Sequence, residues 1–140
     1  MVTVTQKDLK NITLRLATRS IYNCTKFSPK RARVVAKACR KLDDEFILVD
    51  GLYDKLIEEF GKHDEQGNIV PQPGGAPGSF IIEEGKEEAF ENAIKETELV
   101  TVDIEGVNFT MDDLEVVGNL SPAQIDALEP FIVGDLVAVP

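Results

Sequence analysis

Apolar residues in the first half of the chain recur at alternating steps of four and three. This inner stripe consists of Val35, Cys39, Leu42, Phe46, Val49, Tyr53, Leu56 and Phe60. The spacing places these side chains on one side of an α-helix, and it is also the spacing of a heptad seam. Ser28 can cap the first turn, and Pro29 suits the first helical position, where its missing N–H costs nothing. The pattern therefore predicts one helix of about thirty residues, roughly 45 Å long.

Two glycines bear on how this helix continues and how it ends. Inside a helix Gly51 costs about 1 kcal/mol relative to alanine, so the helix would kink or divide there if it does either. Because the stripe keeps its register beyond Gly51, we predict one continuous helix. Gly61 is expected to end the helix in the left-handed conformation, which glycine tolerates best.

The residues before the long helix predict a strand and a second helix. Residues 1–6 alternate valine with threonine, which is typical of a short strand or an extended arm. Residues 7–23 carry two adjacent apolar rows at helical spacing and predict a helix. A turn at residues 25–27 then leads into the long helix, with Phe27 packing on its first turns. The result is an antiparallel helical hairpin.

The segment after the long helix predicts a loop, a short strand and an acidic helix. Residues 71–78 contain three prolines and three glycines, so they form a surface loop. Residues 79–82 predict a strand that pairs with Ile69 and Val70 across this loop. Residues 84–97 predict a helix with an acidic exterior. Its expected buried stripe is Ala89, Phe90, Ala93 and Ile94.

The last third of the chain predicts short strands and short helices. Residues 99–104 alternate in polarity, and a Glu105-Gly106 turn leads to residues 107–109, which together indicate a β-hairpin. Capping-box pairs predict a short turn that contains Leu114, capped by Thr110 with Asp113, and a short helix capped by Ser121 with Gln124. The predicted fold class is α+β. It combines an N-terminal helical hairpin, containing the long helix, with a C-terminal part of short antiparallel β-hairpins and two small helices.

Length and composition place the chain among ordinary single domains. With 140 residues, of which 43% are hydrophobic and 29% charged, residues 1–140 can bury one core. Within this domain we distinguish a basic-to-acidic helical hairpin (1–61), a turn with the Gly/Pro loop (62–82) and an acidic α/β part (83–140). No apolar run approaches about 18 residues and no leader pattern is present, so we expect neither a membrane span nor secretion.

Two cysteines lie on the two arms of the predicted hairpin. Cys24 and Cys39 would be offset along its axis by about nine residues, or roughly 13 Å. A disulfide requires Cα atoms within about 7 Å of each other. We therefore predict two free thiols that act as small core residues.

The net charge of −10 conceals a strong division along the chain. Residues 1–41 carry a net charge of +10 and the remaining residues carry −20. The basic residues at the start of the long helix are Lys30, Arg31, Arg33, Lys37, Arg40 and Lys41, joined by Arg15, Arg19 and Lys26. Such a patch can neutralise phosphates. Alternatively, it pairs with the acidic remainder of the same chain or of a neighbouring copy, and its lack of interleaved aromatic residues argues against sequence readout.

No set of residues has the pattern of a catalytic, cofactor or metal site. The Gly/Pro loop ends in Gly78-Ser79 but lacks the lysine that phosphate-binding loops place before the serine. The clustered carboxylates lack the spacing of a calcium loop. His63 is the only histidine, so paired ligands for a transition metal are missing. We therefore predict no enzyme activity, no cofactor and no metal.

The order of these segments resembles that of a known protein family. A basic helical opening precedes a long helix that ends near Lys62-His63-Asp64-Glu65-Gln66-Gly67-Asn68. A variable loop, an acidic helix and a β-rich piece follow, and the chain then continues with Leu120-Ser121-Pro122-Ala123-Gln124-Ile125-Asp126-Ala127-Leu128-Glu129. Over most of its length the chain resembles a family of small, largely uncharacterised proteins encoded by tailed bacteriophages. The resemblance implies a phage accessory or virion component, in the virion or the host cytoplasm, and supplies no catalytic residue.

We expect a non-enzymatic phage structural or assembly protein that binds copies of itself or another virion protein. One alternative is an acidic phage inhibitor that occupies a host nucleic-acid-binding protein. Another is an accessory protein that contacts DNA through the basic segment. The candidate contact residues are Lys30, Arg31, Arg33, Lys37, Arg40 and Lys41, with Ile132, Leu136 and Val137 from the apolar tail.

Overall fold

A computed structural model of the chain describes residues 1–133. Its elements are β1 (Val2–Thr5), α1 (Gln6–Leu9), α2 (Ile12–Tyr22), α3 (Pro29–Phe60), α4 (Glu87–Leu99), β2 (Thr101–Ile104), α5 (Met111–Val117), α6 (Pro122–Leu128) and a 3₁₀ turn (Glu129–Phe131). This combination of helices with a small antiparallel sheet confirms the predicted α+β class. In the described part of the chain, no helix is both long enough and apolar enough to cross a membrane.

Helix α3 is the predicted long helix, and it runs without a break through Gly51. It has 32 residues, and the Ser28 side chain accepts a hydrogen bond from the backbone N–H of Arg31. The inner stripe faces the core, where its first five members are buried and its last three are half-buried. Burial of this stripe supplies the main hydrophobic contribution of α3.

The prediction for Gly61 is wrong, because this glycine is extended rather than left-handed. Its φ of −74° and ψ of 151° lead the chain directly into an antiparallel bridge with Ile82. A Cβ added at Gly61 would lie 2.8 Å from the Cδ1 atom of Ile69. Glycine is therefore needed here for close packing at the helix end, and a left-handed turn is not formed.

The single helix predicted for residues 7–23 is two helices. The Thr5 side chain caps α1 through a capping box with Asp8. The side chain of Asn11 caps α2 by accepting a hydrogen bond from the N–H of Thr13 at 2.9 Å. A second cap inside the segment divides it, because each cap residue has a non-helical backbone. Arg15 contacts Asp50 while Thr18 contacts Cys39, so α2 packs antiparallel to α3, in agreement with the predicted hairpin.

The partner of β2 is β1, so the predicted hairpin between residues 99–104 and 107–109 is wrong. Val2 pairs with Ile104 and Thr5 with Thr101 in an antiparallel register. Phe109 instead makes an isolated parallel bridge with Ile132. Gly106, at a φ of +79°, turns the chain away from β2. The next apolar side chains then enter the core instead of returning along the sheet.

The Gly/Pro loop joins two short extended stretches, as predicted. The N–H of Ile81 donates to the carbonyl of Val70 at 3.0 Å, and Pro71 bridges Phe80. These contacts are isolated bridges rather than full strands. The pairing predicted for residues 79–82 with residues 69 and 70 is confirmed in this reduced form.

Helix α4 begins at Glu87, later than predicted, because Gly85 turns the chain with a φ of +87°. Phe90 packs edge-on against the rings of Phe60 and Phe80, with centroid distances of 5.8 Å and 5.5 Å. Ala89 is exposed, so the predicted stripe is narrower than expected and its other members are only half-buried.

Both cysteines are free, as predicted. Cys39 is buried and Cys24 is half-buried. Burial raises the pKa of the Cys39 thiol to about 12. This thiol is therefore uncharged at neutral pH and serves as a small packing residue.

Candidate interaction surface on the long helix

Arg31 belongs to the interior architecture and not to a free basic patch. Its Nε donates to the Oδ1 atom of Asp113 at 2.7 Å, and its Nη2 donates to Oδ2. Asp113 is buried at the start of α5 and also accepts from the N–H of Thr110 at 2.8 Å. The predicted capping box of Thr110 and Asp113 is confirmed. Arg31 thus fastens the first turn of α3 to α5.

This ion pair shifts both pKa values towards the charged forms. Burial alone would raise the pKa of Asp113, but the hydrogen bonds from Arg31 and from the Thr110 backbone outweigh burial and lower it. The hydrogen bond to Asp113 likewise raises the pKa of the Arg31 guanidinium. Both groups are charged at neutral pH, and a charge-assisted bidentate pair has a defined geometry.

A second arginine–aspartate pair joins α2 to the middle of α3. Arg15 donates from Nη1 and Nη2 to the two carboxylate oxygens of Asp50, both at 2.9 Å. Lys10 reaches the same carboxylate at 3.1 Å. The Arg15 hydrogen bonds lower the pKa of Asp50. Arg15 therefore binds an acidic residue of the same chain. This pairing was one of the two alternatives predicted for the basic segment.

The other cations predicted at the start of α3 remain on the surface. These residues are Lys30, Arg33, Lys37, Arg40 and Lys41, all of them exposed. Within residues 1–133, none of them forms an ion pair with an acidic side chain. These five cations therefore carry charge that no carboxylate among the described residues neutralises.

A second row of residues with steps of four and three runs along α3, on the side opposite the inner stripe. We call this row the outer seam; it consists of Arg33, Lys37, Arg40, Asp44, Ile47, Gly51, Asp54 and Glu58. Every side chain in it is exposed, and only Gly51 is half-buried. The outer seam has three cations at one end, Asp44, Ile47 and Gly51 near its middle, and two carboxylates at the other end. Glu58 also contacts His63 at 2.9 Å.

Apolar side chains lie at the middle of this outward side of α3. Ile47 and Leu48 are each 61% exposed, and Leu52 is 39% exposed. Sequence reasoning missed these three residues because it considered only the inner stripe. Two adjacent apolar residues off that stripe, at 47 and 48, were the signal that could have found them.

Two grooves flank the outer seam. The groove towards α2 has a volume of about 380 Å³ and brings Arg19 and Arg40 near Asp43 and Asp50. Its mixture of charges does not select for anions. The groove towards β2, of about 360 Å³, is mainly apolar and is lined by residues that include Leu48, Leu52 and Val102.

The candidate contact residues from the tail fall in two places. Ile132 is buried, with 8% of its surface exposed, and it bridges Phe109 in the core. Its position corrects its assignment as a surface contact, because an apolar residue that follows a short turn can be drawn into the core. Leu136 and Val137 lie outside the described residues.

The remaining candidates for chemistry stay apart from one another. No group of three or more histidine, cysteine or carboxylate side chains suited to a metal occurs among residues 1–133. The ring of His63 contacts a single carboxylate, that of Glu58. The site that the structure assembles is therefore a surface of charge and exposed apolar side chains.

In comparisons with known proteins, no family model, no curated protein and no solved structure matches the chain. The bacteriophage resemblance stays a prediction.

Proposed function

We propose that this protein is non-enzymatic and works by associating with other protein surfaces through the outer side of α3. Its setting, in this proposal, is that of a structural or assembly component of a tailed bacteriophage. The observation that carries the proposal is the outer seam, a row of exposed residues with cations at one end, acids at the other and Ile47 near the middle, beside the exposed Leu48 and Leu52. The bacteriophage setting follows from the order of segments in the sequence.

The charge pattern favours a protein partner over nucleic acid. A protein surface can present carboxylates to Arg33 and Lys37 and cations to Asp54 and Glu58 at once. A nucleic acid presents negative charge throughout, so the acidic end of the outer seam and the net charge of −10 would repel it. Complementary charges set the register and orientation of a protein contact, and Ile47 adds apolar area at its middle.

Contact with DNA is the second candidate, and the exposed cations favour it. Lys30, Arg33 and Lys37 occupy the first turns of α3 and have no ion pair within residues 1–133. Each phosphate neutralised on duplex DNA contributes nearly one unit to the slope of log affinity against log salt. A DNA role therefore makes a quantitative prediction that a protein role does not.

Purified phage particles give the test of the structural role. We expect the protein in such particles at a defined copy number, measured by quantitative mass spectrometry. Absence from particles, together with co-purification of a host nucleic-acid-binding protein, would support the inhibitor alternative and overturn the structural role.

A second test separates protein contact from DNA contact. We expect the variant with Lys30→Gln, Arg33→Gln and Lys37→Gln to lose protein association, while neither it nor the unaltered chain binds a DNA duplex. Arg31 is left unchanged because it holds Asp113, so its loss would disturb the fold. Salt-dependent duplex binding by the unaltered chain, lost in the variant, would establish the DNA role instead.

A further inference from the structure

Two pairs of residues in the outer seam carry opposite charges at equal distances from its midpoint, which lies between Asp44 and Ile47. Arg33 and Glu58 are each about 19 Å from this midpoint along the helix axis, at 1.5 Å per residue. Lys37 and Asp54 are each about 13 Å from it. At these four outer positions one helix therefore carries both the charges and their complements.

We propose that the partner of the outer seam is the outer seam of a second copy of this chain, in an antiparallel arrangement about a two-fold axis at that midpoint. This inference rests on the proposed function and specifies its partner. In this register Arg33 of one copy faces Glu58 of the other, and Lys37 faces Asp54. A two-fold axis repeats both pairs, which gives four contacts between opposite charges. A parallel register would instead place cation against cation and acid against acid.

The middle of the outer seam combines apolar contact with one repulsive pair, because the two Asp44 carboxylates also lie about 4.5 Å apart along the axis and each faces Ile47 of the other copy. The two Ile47 side chains lie near the axis, separated by about 4.5 Å along it. Arg40 of one copy faces Gly51 of the other. An added Cβ at Gly51 would meet no atom within 4 Å, so the space above this glycine is open in the single chain. The long side chain of Arg40 can occupy this space.

The net charge of −10 on each copy opposes pairing. The local contacts along the outer seam must therefore outweigh a general repulsion. Charge reversal is consequently a sharper test than a change of salt, because salt screens the attraction and the repulsion together.

The test uses two charge-reversed forms of the full chain. The first carries Arg33→Glu and Lys37→Glu, and the second carries Asp54→Lys and Glu58→Lys. Each form alone places like charges opposite each other, so we expect a monomer by sedimentation velocity where the unaltered chain is a dimer. An equimolar mixture restores opposite charges at all four contacts, so we expect a heterodimer.

The matched control carries Glu88→Lys and Glu96→Lys, two exposed positions on α4. It changes the net charge as much as the second form does, and we expect it to remain a dimer. Circular dichroism of each variant verifies that α3 is intact.

Three results would overturn the antiparallel dimer. They are an unaltered chain that stays monomeric as its concentration rises, a dimer that both reversed forms retain, and an assembly that grows beyond two copies. The third result would indicate head-to-tail contacts. If the chain is monomeric but is still present in particles at a defined copy number, the dimer proposal is wrong and the proposed function is still supported. Absence from particles would count against the proposed function even if the chain dimerises.

Discussion

The inner stripe and the outer seam of α3 share one spacing and have opposite environments. The inner stripe begins at Val35 and packs on α2 and the rest of the core. The outer seam begins at Arg33 and faces solvent. The steps of four and three thus define two rows on the helix. The apolar inner stripe is covered by the same chain, whereas the mostly charged outer seam is not. A heptad spacing therefore locates a contact surface on a helix without indicating whether the same chain or another molecule covers it.

The largest expected effect comes from truncating the inner stripe. Leu42 is fully buried, so Leu42→Ala should lower the free energy of unfolding by about 2–5 kcal/mol through lost burial and a residual cavity. Phe46→Ala should fall in the same range. Urea denaturation monitored by circular dichroism measures both.

The control for this prediction is Ile47→Ala on the outer seam. Because Ile47 is mostly exposed, we expect its truncation to change the free energy of unfolding by about 0.5 kcal/mol or less. Similar losses for Leu42→Ala and Ile47→Ala would contradict the distinction between the two rows.

The two arginine–aspartate pairs also differ in burial, because the Asp113 side chain is buried and the Asp50 side chain is partly exposed. Asp113→Ala removes a buried carboxylate and with it the carboxylate half of the capping box of α5, so we expect a loss of about 2–3 kcal/mol. Asp50→Ala affects a carboxylate whose side chain is 42% exposed, and screening by solvent limits the expected loss to about 1 kcal/mol or less. Equal losses in thermal or urea denaturation would show that burial does not separate the two pairs.

The same contacts predict how stability responds to acid. The pKa of Asp113 is lowered in the folded protein, so its contribution is complete above the unfolded pKa of about 3.9 and is lost as the pH falls through the folded value. Urea midpoints should therefore fall more steeply below about pH 4 in the unaltered chain than in Asp113→Ala. Parallel curves for the two proteins would rule out this linkage.

One substitution on the outer seam is expected to increase stability by a small amount. Gly51→Ala should stabilise the single chain by about 1 kcal/mol, because alanine is the better helix former and its methyl group meets no other atom. At the inner stripe an added methyl group would overpack the core. A loss of stability in thermal denaturation would mean that α3 needs the glycine for its own conformation.

Local signals in the sequence predicted much of this fold. The bounds of α3 follow from Ser28, Pro29 and the inner stripe, and the caps at Thr110 and Ser121 form as expected. Asn11 shows that a further cap signal was readable. Its cap divides the first helical segment, although the apolar rows run through it.

Contacts between distant parts of the chain were not predicted. The sequence does not distinguish Arg31 from Arg33, because no residue near Arg31 indicates that its side chain will bind Asp113. The turn at Glu105-Gly106 gave a local reason for a hairpin, whereas the pairing of β2 with β1 depends on the closure of the whole core. The outer seam has a readable spacing, but its exposure became clear only when α2 and the sheet covered the opposite side.

The pairing of β1 with β2 has a consequence for the order in which the molecule forms. The hydrogen bond from Thr3 to Asp103 joins positions 100 residues apart, so the first strand has no partner until most of the chain has been synthesised. Closing so long a loop slows folding more than it reduces final stability, because the entropy cost grows only with the logarithm of loop length. The helical hairpin can form early from local contacts. Strand β1 can pair only after β2 has been brought next to it. Its backbone amides should therefore be among the last to gain protection from hydrogen exchange during refolding.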